Sequence, residues 1–147
     1  MVKHSKKNVF IDGPISSHFI SQSIEKHASK KEIGAHSLFL GQVREDVISG
    51  KKVTAIEYTA YTEMAEKVFS GIREETFSKF ELTCMHIYHS LGTVKSGEIS
   101  LFVFTSSPHR KSAIDACNFI VEEIKSKSPV WGKEILEDHT HTWKTNT

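Results

Sequence analysis

Ser106-Ser107-Pro108-His109-Arg110 ends an apolar run and opens an amphipathic one. A serine followed by proline reads as a helix start, with Ser107 as cap and Pro108 at the first helical position, where no N–H is needed. The first-turn N–H groups, Arg110 and a protonated His109 together suit a phosphate or a carboxylate. Lys125 falls near the far end of the same helix, shortly before Pro129-Val130-Trp131-Gly132-Lys133-Glu134. A lysine partly dehydrated by a neighbour such as Trp131 has a lowered pKa and can act as an acid, a base or a nucleophile. Arg44, at the end of an earlier strand, is a further anion clamp. Ordinary capping and helix-dipole pairing use the same residue types, so these cations alone leave both readings open.

Geometry adds a constraint. Arg110 and Lys125 are fifteen positions apart, so a ligand of roughly 10 Å cannot touch both across about 22 Å of helix. If both serve one site, the more natural solution is a dimer, one chain giving His109 and Arg110 and the other Lys125.

The elements that position these residues follow from periodicity. Asn8–Ile11 reads as a short strand ended by Asp12-Gly13-Pro14. Ser16 or Ser17 caps a helix to about His27, with Phe19, Ile20 and Ile24 inward. Residues 34–43 alternate as a strand, Ser37, Phe39 and Gly41 on one face and Leu38, Leu40 and Gln42 on the other. Arg44–Lys52 reads as a flexible loop, and Val53–Tyr58 as the next strand. Thr62 to about Phe80 is a helix with a Met64, Val68, Ile72 stripe. Strands at Leu82–Tyr88 and Glu98–Thr105 precede the Pro108 helix. Its stripe is Ala113, Cys117, Ile120 and Ile124, and Pro129 ends it. Val130, Trp131, Ile135 and Trp143 predict docked structure in the tail. Several connections are too short for parallel crossovers. The expected fold is therefore α+β, one domain over residues 1–147, with a largely antiparallel sheet, three main helices and a frayed basic start at residues 1–7.

Composition narrows the function classes. The 147 residues carry 19 basic and 18 acidic side chains, net +1, which argues against bulk binding to nucleic acid or a membrane surface. No apolar run approaches the ~20 residues of a membrane span. Cys84 and Cys117 are distant and lie in no CxxC pattern, so they read as buried free thiols in a reducing cytoplasm. The nine histidines form no HExxH and no zinc-like Cys/His spacing, so no metal site is expected. His86 with His89, and His139 with His141, are the nearest approach to one. There is no GxxxxGK[ST], GxSxG or GxGxxG motif.

Taken in order, Gly34-Ala35 to Arg44, Ile56–Tyr61 through Ala65, His89-Ser90-Leu91-Gly92, Gly97-Glu98, Ser106–Arg110, Ile124-Lys125, Pro129–Glu134 and Trp143-Lys144 resemble the large, catalytic subunits of molybdopterin synthases over nearly the whole chain. The resemblance implies an α/β-hammerhead fold and a homodimer within a heterotetramer. The partner it implies is a ubiquitin-like sulfur-carrier small subunit, engaged through a C-terminal Gly-Gly tail ending in a thiocarboxylate. The implied reaction adds two sulfurs to cyclic pyranopterin monophosphate, giving the dithiolene, with no metal or redox cofactor in this subunit. It makes Lys125 catalytic and Arg44, His109, Arg110 and Trp131 substrate-binding, with the site at the dimer interface. Two positions depart from the pattern. Gly132 stands where many members carry a second functional lysine, leaving Lys133 as the candidate one residue on. Ser90 stands where many carry an arginine. The alternative is a non-catalytic module that holds a phosphorylated small molecule or a partner's C-terminal tail, and Gly132 is the feature that favours it.

Overall fold

The computed structural model describes residues 9–144; the expected fraying at residues 1–7 lies outside them. The chain runs β1 (Phe10–Asp12), α1 (Ser17–Lys26), β2 (Ala35–Gln42), β3 (Val47–Ile48), β4 (Lys51–Ala60), α2 (Thr62–Lys79), β5 (Cys84–Lys95), β6 (Ile99–Ser107), α3 (Arg110–Lys127), β7 (Val130–Leu136) and β8 (His141–Trp143). The strand order is β2-β6-β5-β4-β7-β8, with β3 beside β4. All these pairs are antiparallel except β1 on β5. This is the α+β class with three helices that the sequence predicts.

One strand joins two halves of the sheet. The first part of β5, Cys84–His89, pairs with β6. Its last part, Gly92–Lys95, pairs with β4. The changeover passes through Gly92 at φ +82, a left-handed backbone conformation that a Cβ would disfavour. Beyond it lie β4, β7 and β8; before it lie β6 and β2.

The helices cover both faces of the first half. Phe69 and Ile72 of α2 and Ile120 and Ile124 of α3 pack on Met85, Ile87, Leu101 and Val103. On the other face, Phe19 and Ile20 of α1 meet Phe102, Phe104 and Tyr88. Being sandwiched, β6 is buried at nearly every position, the pattern of a strand covered on both faces. Val43, Val53, Ile56, Val94 and Leu136 form a separate cluster in the second half.

Several local expectations need correction. Ile24 is 39% exposed and Met64 55% exposed. The buried face of α2 is Ala65, Phe69, Ile72 and Thr76, one position round from the predicted stripe. The Arg44–Lys52 segment contains a tight hairpin, with Val47 opposite Lys52 and Ile48 opposite Lys51. Ser49 and Gly50 both have positive φ, the turn geometry that matches strand twist. Helix α3 is capped by His109, without a side-chain cap bond, so Pro108 precedes the cap. Ser107 ends β6 instead; its hydroxyl donates to Glu81 O at 2.8 Å and accepts from His109 N–H at 3.3 Å. Of the tail residues expected to dock, Trp131 and Trp143 lie on strands but keep 46% and 59% of their surface exposed.

Candidate functional site

Where the two halves of the sheet part, a cavity of about 260 Å³ opens. Its walls come from the end of β2, from β4, from His89 of β5, from the start of β6 and from β7. The ends of three elements deliver cations to it: Arg44 after β2, Lys125 in the last turn of α3, and Lys144 just beyond β8. Strand alternation selects the β7 residues, because successive side chains point to opposite faces. Gly132 and Glu134 line the cavity.

Lys125 reaches the cavity because Ile124 beside it is anchored in the core at 3% exposure. Lys125 keeps accessible surface, as a side chain at a cavity mouth must. The walls still remove enough water to lower its pKa below the ordinary lysine value, and the Lys144 ammonium adds to the effect by like-charge repulsion. Lys144 is held in place by its backbone, which donates to Gly132 O at 2.8 Å. It therefore lies next to the position that lacks a side chain. Arg44 is an exposed clamp at the rim, paired with Asp46 at 3.3 Å.

The cavity floor is polar but largely shielded. His89 is 7% exposed, its Nδ1 lies 2.8 Å from Ser90 O, and its ring meets Tyr58 edge-on at 5.1 Å. Burial, reinforced by the positive charge of Lys125, holds its pKa down to about 4, so it is neutral at pH 7. Burial raises the Tyr58 phenol, whose hydroxyl donates to Ser100 Oγ at 3.2 Å. The Ser128 hydroxyl is buried at the cavity and makes no hydrogen bond within the described residues. A shielded hydroxyl without a partner favours a polar occupant.

Of the residues predicted from sequence, Arg44 and Lys125 come together here. Lys133 does not. A shift of one residue along a strand reverses the face, and Lys133 projects away from the cavity to Glu57 at 3.4 Å. Trp131 shares that outer face and packs on Tyr61 at 5.7 Å; the water is taken from Lys125 by the cavity walls, not by this indole. His109 and Arg110 are exposed at the opposite end of α3 and line no part of this cavity. Sequence reasoning missed Lys144, Glu134 and Ser128 as site residues. Lys144 stood in the Trp143-Lys144 motif, but its proximity to Gly132 depends on how β7 and β8 pair.

The chemistry available is anion binding beside an amine of lowered basicity. Lys125, Lys144 and Arg44 offset negative charge beside the carboxylates of Glu134 and Asp46, and Lys125, partly screened from water by the walls, does so more strongly than it would in bulk water.

Residues 15–127 match the family model described as MoaE protein. A relative named molybdopterin synthase catalytic subunit, from Drosophila grimshawi, is 43% identical over 115 residues, 77% of this chain and 32% of its own length. The chain thus spans about a third of that relative. A crystal structure of molybdopterin synthase from Staphylococcus aureus superposes with a TM-score of 0.82 at 34% identity, covering 96% of this chain and 98% of that one. A complex of subunits 1 and 2 of molybdopterin-converting factor from Helicobacter pylori shares the fold, with a TM-score of 0.78 at 19% identity over 91% and 87% of the two chains.

Proposed function

The chain belongs to the MoaE protein family, and on that premise we propose that it is the catalytic subunit of a molybdopterin synthase, a sulfurtransferase acting on cyclic pyranopterin monophosphate. The observation that carries the reading is the convergence of Arg44, Lys125 and Lys144 on one cavity. The substrate's phosphate requires cations, and opening its cyclic phosphate exposes further negative charge for them to stabilise. Sulfur arrives as the thiocarboxylate at the Gly-Gly tail of a small carrier subunit. The amine of Lys125, lowered in pKa by its surroundings, handles protons or steadies the acyl group during transfer. The role many family members give to a lysine at position 132 falls here to Lys144. The assembly is a heterotetramer around a homodimer, in which the partner copy supplies His109 and Arg110. The compartment is the cytoplasm, in keeping with two buried, unpaired cysteines. Among the described residues no helix is long and apolar enough to cross a membrane.

Reconstitution tests this. The purified chain, a thiocarboxylated carrier and the cyclic precursor should yield dithiolene product. Lys125→Ala should lower turnover by about 10² or more, the scale of losing an acid–base group. Lys144→Ala should impair turnover more than Lys133→Ala. Unchanged turnover in Lys125→Ala would move catalysis to another residue. A greater loss in Lys133→Ala than in Lys144→Ala would return the second role to Lys133. Tight binding of the precursor without turnover, with any competent carrier, would favour the binding-module reading that Gly132 suggests.

A further inference from the structure

On the face of β5 opposite His89, three potential ligands from distant parts of the sequence meet. Cys84 and His86 are two residues apart and so share a strand face. His27, the C-cap of α1, comes down onto them. His27 Nε2 lies 3.0 Å from His86 Nε2, and with Cys84 Sγ the three atoms all lie within 4.8 Å of one another. We propose that Cys84 Sγ, His27 Nε2 and His86 Nε2 form a binding site for one zinc-like divalent ion, independent of the sulfur-transfer cavity, with a solvent molecule as fourth ligand.

Three observations carry it. The spacing is close to what the ion needs, since tetrahedral zinc with bonds of 2.0–2.1 Å to nitrogen separates its two nitrogens by about 3.4 Å. The orientation of His27 is already set. Its Nδ1–H donates to Ser23 O at 2.7 Å, which leaves the Nε2 lone pair facing the cluster. A ring fixed through its other nitrogen by a carbonyl is the usual support for a metal-bound histidine. The site is also walled: His27 and Cys84 are 9% and 6% exposed, and Phe104 packs against the His27 ring at 4.9 Å.

A competitor is Lys30, whose ammonium donates to Cys84 Sγ at 2.9 Å. Lys30 is exposed and its long side chain can swing into water, so a metal ion takes over the same electrostatic role beside the sulfur. Binding removes one proton from Cys84 if it is a thiol, and moves the His86 proton from Nε2 to Nδ1. The bound ion would tie the C-terminal end of α1 to the centre of the sheet.

The test uses the whole chain with Zn²⁺ and Co²⁺ as probes. One ion per chain is expected, with a thiolate-to-cobalt charge-transfer band that Cys84→Ser abolishes. His86→Gln should weaken binding by at least about tenfold, the lower end of what loss of even a supporting partner costs. Alkylation of the wild-type chain keeps the test independent of whether variants fold. Zinc should slow modification of Cys84 while leaving the buried thiol of Cys117 on α3 at its own rate, read peptide by peptide by mass spectrometry. Equal alkylation of Cys84 with and without zinc, or a cobalt band that survives Cys84→Ser, would overturn the proposal.

Discussion

At the scale of single residues, Gly132 explains most about how the wall of this cavity is packed. A Cβ there would lie 2.9 Å from Ile56 Cγ2 and 3.4 Å from Tyr58 Cε1. The space a lysine stem needs is filled by the side chains opposite it on β4, so a cation has to approach from the neighbouring strand. Lys144 does so. Gly132→Lys should therefore destabilise the chain by about 1–3 kcal/mol, the usual cost of overpacking. In urea titrations the combination with Ile56→Ala should cost less than the two single changes summed, because the second removes the clashing methyl. Strict additivity would mean that Ile56 does not set the limit.

His89 carries a second prediction at this scale. Its native pKa of about 4 lies below the ordinary value of 6.5, so between these limits the unfolded chain binds more protons than the folded one. Stability then falls as pH drops. Its contribution is complete above pH 6.5, is diminished by about 2 kcal/mol at pH 5, and is gone below pH 4 after a total of about 3 kcal/mol. Denaturation at pH 7 and pH 5 should show the loss, and His89→Gln should show a much smaller one. A wild-type chain equally stable at both pH values would mean that His89 is not held neutral.

At the scale of elements, what was legible in the sequence depended on whether the apolar residues nearest one helical or strand period were also the ones that packing buries. The stripe of α3, Ala113, Cys117, Ile120 and Ile124, is buried as its spacing predicts, with Ala116 buried beside it, while Ile114 lies off the stripe and is 55% exposed. The alternation of β2 was equally plain. In α2, Met64, Val68 and Phe69 make the apolar arc broad, and contact with α3 and the sheet decides which part faces inward. The start of α3 also depends on a remote residue. A Cβ on Gly34 would come within 2.2 Å of Pro108 O, and the Gly34 N–H donates to Ser107 O at 3.0 Å. Only glycine allows the start of β2 to seat against the corner that presents His109 and Arg110. Gly34→Ala should thus cost about 1–3 kcal/mol and disturb that corner. A drop in the melting temperature together with altered amide signals for Arg110 and Lys111 would show both effects; an unchanged melting temperature would show that the corner adapts freely.

At the scale of the whole molecule, the site divides by how its residues are brought together. Arg44 and Lys125 were readable because each ends an element whose period is clear. Lys144, Glu134 and Ser128 depend on how β7, β8 and the end of α3 meet, which no local pattern encodes. The zinc-like cluster is more remote still, since residue 27 meets residues 84 and 86 only after α1 docks on the sheet. His109 and Arg110 stay outside the cavity because α3 holds them about 22 Å of helical rise from Lys125. Bringing them to it takes a second copy of the chain. Surface is available for one: Tyr61 and Trp131, in edge-to-face contact, are 67% and 46% exposed, and Leu38 and Leu40 on the outer strand β2 are 37% and 42% exposed. Apolar groups left open in this way suit an interface. If each site takes Lys125 from one copy and Arg110 from the other, a dimer of one Arg110→Ala chain and one Lys125→Ala chain holds one site with both residues intact and one with neither. Each homodimer of either variant has only damaged sites. Mixed and allowed to exchange, the two inactive variants should recover turnover, approaching one quarter of wild type when exchange is statistical, since half the dimers are mixed and half of their sites are whole. Recovery should track the amount of heterodimer, followed with a tag on one variant. Heterodimer formed in full without any recovery would place both residues in the same copy's site, and the helix length would then have to be overcome by a different path.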